Sequence, residues 1–237
     1  MSAMPAKKGL SPASLPDATP AEEMYLKGLV RLEQGGSPSV GALARELGVS
    51  AASSSGMVRQ LTERGWMESG HREIRLTPIG RRLALRTIRR HRLAERLFTD
   101  LLGMPWEEVH DPACALEHVL TDTVTDRLDE LLGHPETCPH GQPVPTADGT
   151  LSPAAGATVD SLSAGDSGRV LSVSREDPEL LSYLGSLGLV PGASLVVETV
   201  APFAGPLLVR VGRARYAIGR EVAGLISVEV TPVEKTG

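Results

Sequence analysis

Between His134 and Ala157 the chain places five prolines (Pro135, Pro139, Pro143, Pro145, Pro153) and three glycines (Gly141, Gly149, Gly156), and the residue pattern differs in kind on the two sides. Upstream, apolar residues recur at helical spacing between capping and stop signals; downstream, short β-rich runs alternate with Gly and Pro. One chain must therefore build two cores of different class. Apolar residues make up 41% and aromatics only 3%, so both cores have to be aliphatic, from Leu, Val, Ala, Ile and Met. No run approaches the ~18 apolar residues of a membrane span. The first twenty residues lack the apolar stretch of a secretion signal, and two cysteines in 237 residues cannot make a disulfide framework. The expectation is a soluble cytoplasmic protein without a membrane partner.

Residues 1–18 (Pro, Ala, Ser, Lys, no periodicity) read as a disordered tail. Thr19-Pro20 caps and starts a helix that Gly35-Gly36 ends; Ser39 opens a second, stopped by Gly48; Ser50 caps a third that runs to about Arg64. Trp66-Met67-Glu68 and Glu73–Leu76 read as a hairpin around Gly70-His71-Arg72. Thr77-Pro78 restarts a long helix to about Leu102, followed by helices at about 110–121 and 123–132. Five β-rich runs then follow (168–174, 194–200, 207–211, 215–218, 225–230), interrupted by one helix at 179–187, which suggests a small SH3-like barrel. The expected domains are a winged helix-turn-helix unit at 19–86, a helical metal-binding and dimerisation domain at 87–137, a linker at 138–157 and an all-β SH3-like domain at 158–233.

Helix, tight turn, helix and hairpin is the winged helix-turn-helix plan. The third helix begins with Ala51, Ala52, Ser53, Ser54, Ser55 and Gly56, small enough for close approach to a major groove. Val58 and Leu61 are its expected buried face and Arg59 its exposed cation, with His71, Arg72 and Arg75 placed to follow a sugar–phosphate backbone. The net charge of −5 hides a segregation: residues 59–96 carry a local balance of +7 from eleven Arg, and residues 100–136 one of −9. Double-stranded DNA is the implied partner.

His110, Cys114, Glu117 and His118 fall within an arc of about 100° on one helix face. At ~1.5 Å per residue His110 lies ~12 Å from His118, too far to share one ion, so Cys114, Glu117 and His118 form one group. His110 finds its partners in His91 and Glu95, an i,i+4 pair on the preceding helix. Imidazole, carboxylate and one thiolate suit a divalent first-row ion: Fe(II), Mn(II), Co(II), Ni(II) or Zn(II). Cys138-Pro139-His140 reads as half a zinc site, but no second pair of suitable spacing follows it.

Four stretches carry a resemblance: Glu23-Met24-Tyr25-Leu26, His91-Arg92-Leu93-Ala94-Glu95-Arg96-Leu97, the 110–118 motif, and Thr137-Cys138-Pro139-His140-Gly141. With them residues 22–143 resemble the diphtheria-toxin-repressor family of iron- and manganese-dependent transcriptional regulators, and the SH3-like domain extends the likeness to about 215 residues. The resemblance implies a homodimer on palindromic operator DNA and two ions per chain, Fe(II) or Mn(II). It assigns Met24, Cys114, Glu117 and His118 to a primary, activating site. An ancillary site takes His91, Glu95 and His110, completed by Glu176 and Glu179 of the SH3-like domain. It also matches Ser50, Ser53 and Ser55 to DNA-contacting positions. Gly56-Met57-Val58-Arg59 resembles the manganese branch, whereas the soft pair Met24 and Cys114 is typical of iron regulators, and Lys27 stands where the manganese branch has a carboxylate. Fe(II) is the favoured ion and a Mn(II)-selective regulator the alternative. From other classes, a divalent-metal enzyme using Glu95 or Glu117 as base, or a metal-independent adaptor, remain open.

Overall fold

The computed structural model describes residues 15–35, 38–70, 73–153 and 155–231. The chain divides into two compact units, Met1–Leu85 and Arg86–Gly237.

The first unit holds helices α1 (Pro20–Gly35), α2 (Val40–Glu46) and α3 (Ala51–Glu63), strands β1 (Met67–Ser69) and β2 (Ile74–Leu76), and the start of α4 (Pro78–Arg96). Thr19 and Glu22 form a reciprocal capping box at α1: Thr19 N donates to Glu22 Oε2 (2.9 Å) and Glu22 N to Thr19 Oγ1 (3.3 Å). Ser39 and Ser50 cap α2 and α3 through their side-chain oxygens. On α3, Ser54, Val58 and Leu61 are buried at i, i+4 and i+7, and Ser54 Oγ donates to Val40 O at 3.2 Å, tying α3 to α2. Leu26, Leu29, Leu43 and Leu61 fill this core with no exposure. β1 and β2 pair antiparallel from Met67↔Leu76 to Ser69↔Ile74. Gly80 is where α4 crosses the wing: a Cβ there would lie 1.9 Å from Trp66 O, so only glycine permits the approach.

In the second unit α4 ends in a π-helical turn, Leu97–Leu101, rather than running as an α-helix to 102. α5 (His110–Glu117) and α6 (Asp122–Leu131) follow. The β part is one antiparallel sheet of order β3-β8-β4-β5-β6-β7. Its strands are β3 (Ala157–Thr158), β4 (Ser167–Val173), β5 (Ser194–Val200), β6 (Leu207–Val211), β7 (Ala214–Ile218) and β8 (Ile226–Thr231). α7 (Pro178–Ser186) sits between β4 and β5, and a short α8 (Arg220–Ala223) precedes β8. β3 and α8, two and four residues long, were too short for periodicity to reveal. The core is aliphatic, with Val170, Leu181, Leu195, Val197, Val209 and Ile226 buried.

The stretch expected as a plain linker is partly structural. Cys138 and His140 are fully buried, and the turn Cys138–Gly141 is closed by a bond from Gly141 N to Cys138 O (2.9 Å). Gly141 has φ +80°, and a Cβ on it would lie 1.9 Å from Leu171 O. Val173 N also donates to His140 O at 2.9 Å, seating the turn on β4.

Candidate metal centre and nucleic-acid surface

α4 carries His91 and Glu95 one turn apart, both buried, with His91 Nε2 3.0 Å from Glu95 Oε1. α5 brings His110, Cys114 and Glu117 against them. His110 Nε2 lies 3.5 Å from Cys114 Sγ and His110 Nδ1 3.0 Å from Glu176 Oε2, on the loop after β4. His91 Nδ1 reaches Glu117 Oε2 at 2.6 Å and Cys114 Sγ at 3.9 Å, while Glu117 Oε1 faces His118 Nε2 at 3.4 Å. The two ligand groups separated by helix spacing are therefore one continuous network with His91 at its junction.

Among the described residues, three sets bring their donor atoms within 4.8 Å of one another: His91, His110 and Cys114; His91, Glu95, His110 and Glu176; and Glu95, Cys138, His140 and Glu176. The ancillary residues of the α4 and α5 motifs thus converge with Glu176. Glu179 does not join them. Asp177 caps α7, accepting from Leu180 N at 3.0 Å, which puts Glu179 in the exposed first turn. Cys114, Glu117 and His118 do not form a set of their own, because Glu117 divides its oxygens between His91 and His118 and Cys114 turns to the histidines. Cys138 and His140 have no second pair nearby in the sequence. Their partners come from α4 and the β4 loop, which no local spacing reveals.

The electrostatics suit a cation. Burial and the neighbouring Glu176 push the Glu95 carboxyl up, but His91, His110 and His140 outweigh them and hold it well below the usual range. Burial would lower His110, yet its contacts with Cys114, Glu176 and Glu95 push it up to about 11. Neither Glu95 oxygen nor His110 Nδ1 makes a hydrogen bond of good geometry, despite the short distances. The Glu95 oxygens and His110 Nδ1, set within 4.8 Å of the donor atoms of His91 and Glu176, fit a divalent first-row ion.

In the first unit Ser50, Ser53, Ser55 and Arg59 are all exposed on or at the start of α3. Ser50 Oγ accepts from Ser53 N (3.0 Å) and donates to Ser53 Oγ (2.9 Å), so these two hydroxyls also order the helix start. His71 and Arg72 lie outside the described residues. Much of the Arg excess is spoken for within the second unit: Arg90 pairs with Asp122 (2.7 Å), and Arg89 with Asp129 (3.1 Å) and Asp126 (3.3 Å). Arg96 donates to Thr137 O at 2.7 Å. Part of each charge block is therefore matched helix to helix, α4 against α6, through Arg86, Arg89 and Arg90. Val119, Val124 and Leu131 remain exposed around α5 and α6, at 72%, 49% and 68%.

Comparison with known proteins finds three family matches: an iron-dependent repressor N-terminal DNA-binding domain over residues 17–73, an iron-dependent repressor metal-binding and dimerisation domain over 77–146, and a FeoA domain over 157–230. The iron-dependent repressor IdeR of Mycobacterium leprae is 34% identical over 227 residues, covering 90% of this chain and 98% of the relative. IdeR of Mycobacterium tuberculosis is 36% identical over 223 residues, covering 87% and 96%. Among solved structures, a manganese-dependent transcriptional repressor in complex with manganese matches with TM-score 0.83 and 35% identity, covering 89% of this chain and all of that one. IdeR of T. acidophilum matches with TM-score 0.76 and 31% identity over 91% of this chain and all of that one.

Proposed function

The chain belongs to the iron-dependent repressor family, and from that premise we propose that it binds palindromic operator DNA as a homodimer once two divalent ions per chain, Fe(II) or Mn(II), are in place. It is a metal-dependent transcriptional repressor with an N-terminal DNA-binding domain and an SH3-like C-terminal domain. The observation that supports metal control most strongly is the buried convergence of His91, Glu95, His110 and Glu176. A bound ion supplies positive charge and directed bonds to Glu95 and Glu176, the two carboxylates that repel one another in this set.

In this reading His91 and His110 give imidazole nitrogens and Glu95 and Glu176 carboxylate oxygens to the ancillary ion. Met24, Cys114, Glu117 and His118 hold the activating ion, a role supported by the family motif they match. The thioether and thiolate of that set favour Fe(II), and Co(II), Ni(II) or Zn(II) substitute in vitro. Ser50, Ser53, Ser55 and Arg59 meet the operator, with His71 and Arg72 on the backbone beside it. The exposed Val119, Val124 and Leu131 support a two-fold interface on α5 and α6.

Selection of duplexes from a random library, with Fe(II) or Mn(II) present and in a parallel arm with chelator, tests this reading. Enrichment of a two-fold symmetric sequence only in the metal arms is expected. Equal enrichment with chelator, or enrichment of single half-sites, would overturn it.

A further inference from the structure

Glu22 stands in the first turn of α1 with no exposure, and its two oxygens serve different helices. Oε2 accepts from Thr19 N (2.9 Å) and Thr19 Oγ1 (3.1 Å), closing the start of α1. Oε1 accepts from Gln60 Nε2 (2.9 Å) on α3 and from Nη1 of Arg64 (2.6 Å), the C-cap of α3. Arg64 extends the contact in two more directions: its Nη2 donates to Asp17 O at 2.9 Å, and its Cζ lies 3.6 Å from the centroid of the buried Trp66 ring. Trp66 immediately precedes β1, and its carbonyl accepts from Thr77 N (3.1 Å) at the foot of α4. The start of α1, the end of α3 and the base of the wing thus meet at one carboxylate–guanidinium pair. We propose that Glu22 and Arg64 are positioning residues, a latch that carries the metal state of α1 to the operator-reading helix and to the wing. The proposal rests on the metal-binding reading above, in which Met24, two residues along α1 from Glu22, holds the activating ion.

Burial makes the latch stiff. Glu22 is out of water, so parting it from Gln60 and Arg64 leaves a buried carboxylate without its cation, and a charge-assisted bond of this kind is among the stronger ones. α1 and the end of α3 therefore move together more readily than apart. Ser54 Oγ, donating to Val40 O (3.2 Å), fastens α3 to α2, so the helix-turn-helix pair follows as one body. The 13 residues of α3 span about 20 Å, and a tilt of about 10° at the latched end carries the far end roughly 3 Å, a full hydrogen-bond length. That far end holds the exposed Ser50, Ser53 and Ser55, which meet the operator in the reading above. The stacking of Arg64 on Trp66 passes the same shift to β1 and its hairpin partner β2. A lysine could neutralise Glu22, but it could not also stack on the indole and reach Asp17 O, so the planar guanidinium is the group this junction needs. An ion that bonds Met24 restricts α1 and, through the latch, α3 and the wing. The coupling is reciprocal: the operator tightens metal binding by the same factor.

The test uses the full chain, Mn(II) as the metal and a labelled two-fold symmetric duplex from the selection above. The quantity read is the ratio of duplex affinities with Mn(II) and with chelator. It should be at least about tenfold in the wild type and fall to about threefold or less in Glu22→Gln and in Arg64→Gln. The double variant should show no further fall, since the two residues act as one unit. A merely structural role would weaken binding in both conditions and leave the ratio unchanged. Hydrogen exchange gives a second readout. In the wild type Mn(II) should slow exchange at Glu23 N, bonded to Thr19 O, and at the Gly65 and Trp66 amides that close the end of α3; in Arg64→Gln it should slow only the first. The Arg64 side chain is 36% exposed, so Arg64→Gln decides the matter even where Glu22→Gln does not fold. A wild-type ratio in the variants, or Mn(II) protection of Gly65 and Trp66 in Arg64→Gln, would overturn the latch while leaving metal control standing. Equal affinity with Mn(II) and with chelator in the wild type would overturn metal control itself, and the latch with it.

Discussion

Glu22 is fully buried in the first turn of α1 and accepts from Thr19 N (2.9 Å), Thr19 Oγ1 (3.1 Å), Gln60 Nε2 (2.9 Å) and Arg64 Nη1 (2.6 Å). Burial raises its carboxyl, but these partners hold it below the ordinary glutamate value. A carboxylate with a depressed folded pKa stabilises fully above its unfolded value and loses that contribution as pH falls through the folded one. Urea denaturation should therefore show stability falling below about pH 4 in the wild type, more steeply than in Glu22→Gln. At pH 7 Glu22→Gln should cost about 1–2 kcal/mol, the lower end being set by Arg64, whose side chain is 36% exposed and partly screened. Gly141→Ala should cost more than about 2 kcal/mol in the same denaturation, since it adds a clash to a left-handed backbone. The start of α1 was legible because Thr19-Pro20 is a local cap signal, whereas Glu22 as the reciprocal partner and its long-range bonds to Gln60 and Arg64 were not. The convergence of Cys138 and His140 with Glu95 and Glu176 was not legible either, because it depends on a proline-rich turn folding back onto β4, and periodicity carries no record of such a contact.

At the scale of elements, α4 and α6 are fastened by arginines that composition alone would assign to DNA. Arg89 is 8% exposed and is shared by Asp126 and Asp129. Arg89→Ala should destabilise the second unit by about 2 kcal/mol, because it leaves the partly buried Asp129 with only the exposed His134 beside it. Thermal denaturation with Asp129→Asn as the second arm of a double-mutant cycle measures the coupling. Arg59, exposed on α3, is the contrasting case. Arg59→Ala should weaken binding to every duplex by a similar factor and reduce the salt slope by about one, without changing the selected sequence. The charge segregation was readable, but its meaning was not: only the packing of α4 on α6 shows which arginines are already paired. The sheet was readable as five strands from alternation and turn residues, and the two-residue β3 became visible only through its pairing with β8.

For the whole molecule, the exposed Val119, Val124 and Leu131 around α5 and α6 are the positions at which the proposed two-fold interface can be tested. Val119→Asp with Leu131→Asp, both exposed and so carrying little risk to the core, should convert the metal-loaded dimer to monomer in sedimentation and lower affinity for a two-fold symmetric duplex at least about tenfold, ~1.4 kcal/mol. Among the described residues no helix is long and apolar enough to cross a membrane. In the proposed function metal switches operator binding on. Fluorescence anisotropy of a labelled palindromic operator, titrated with the full chain in Fe(II), in Mn(II) and in chelator at one fixed salt concentration, tests it most directly. Binding at least about tenfold tighter with either metal than with chelator is predicted, and the difference should vanish when His91 and Glu117 are both replaced by alanine. Equal affinity in all three conditions would mean that metal does not control operator binding.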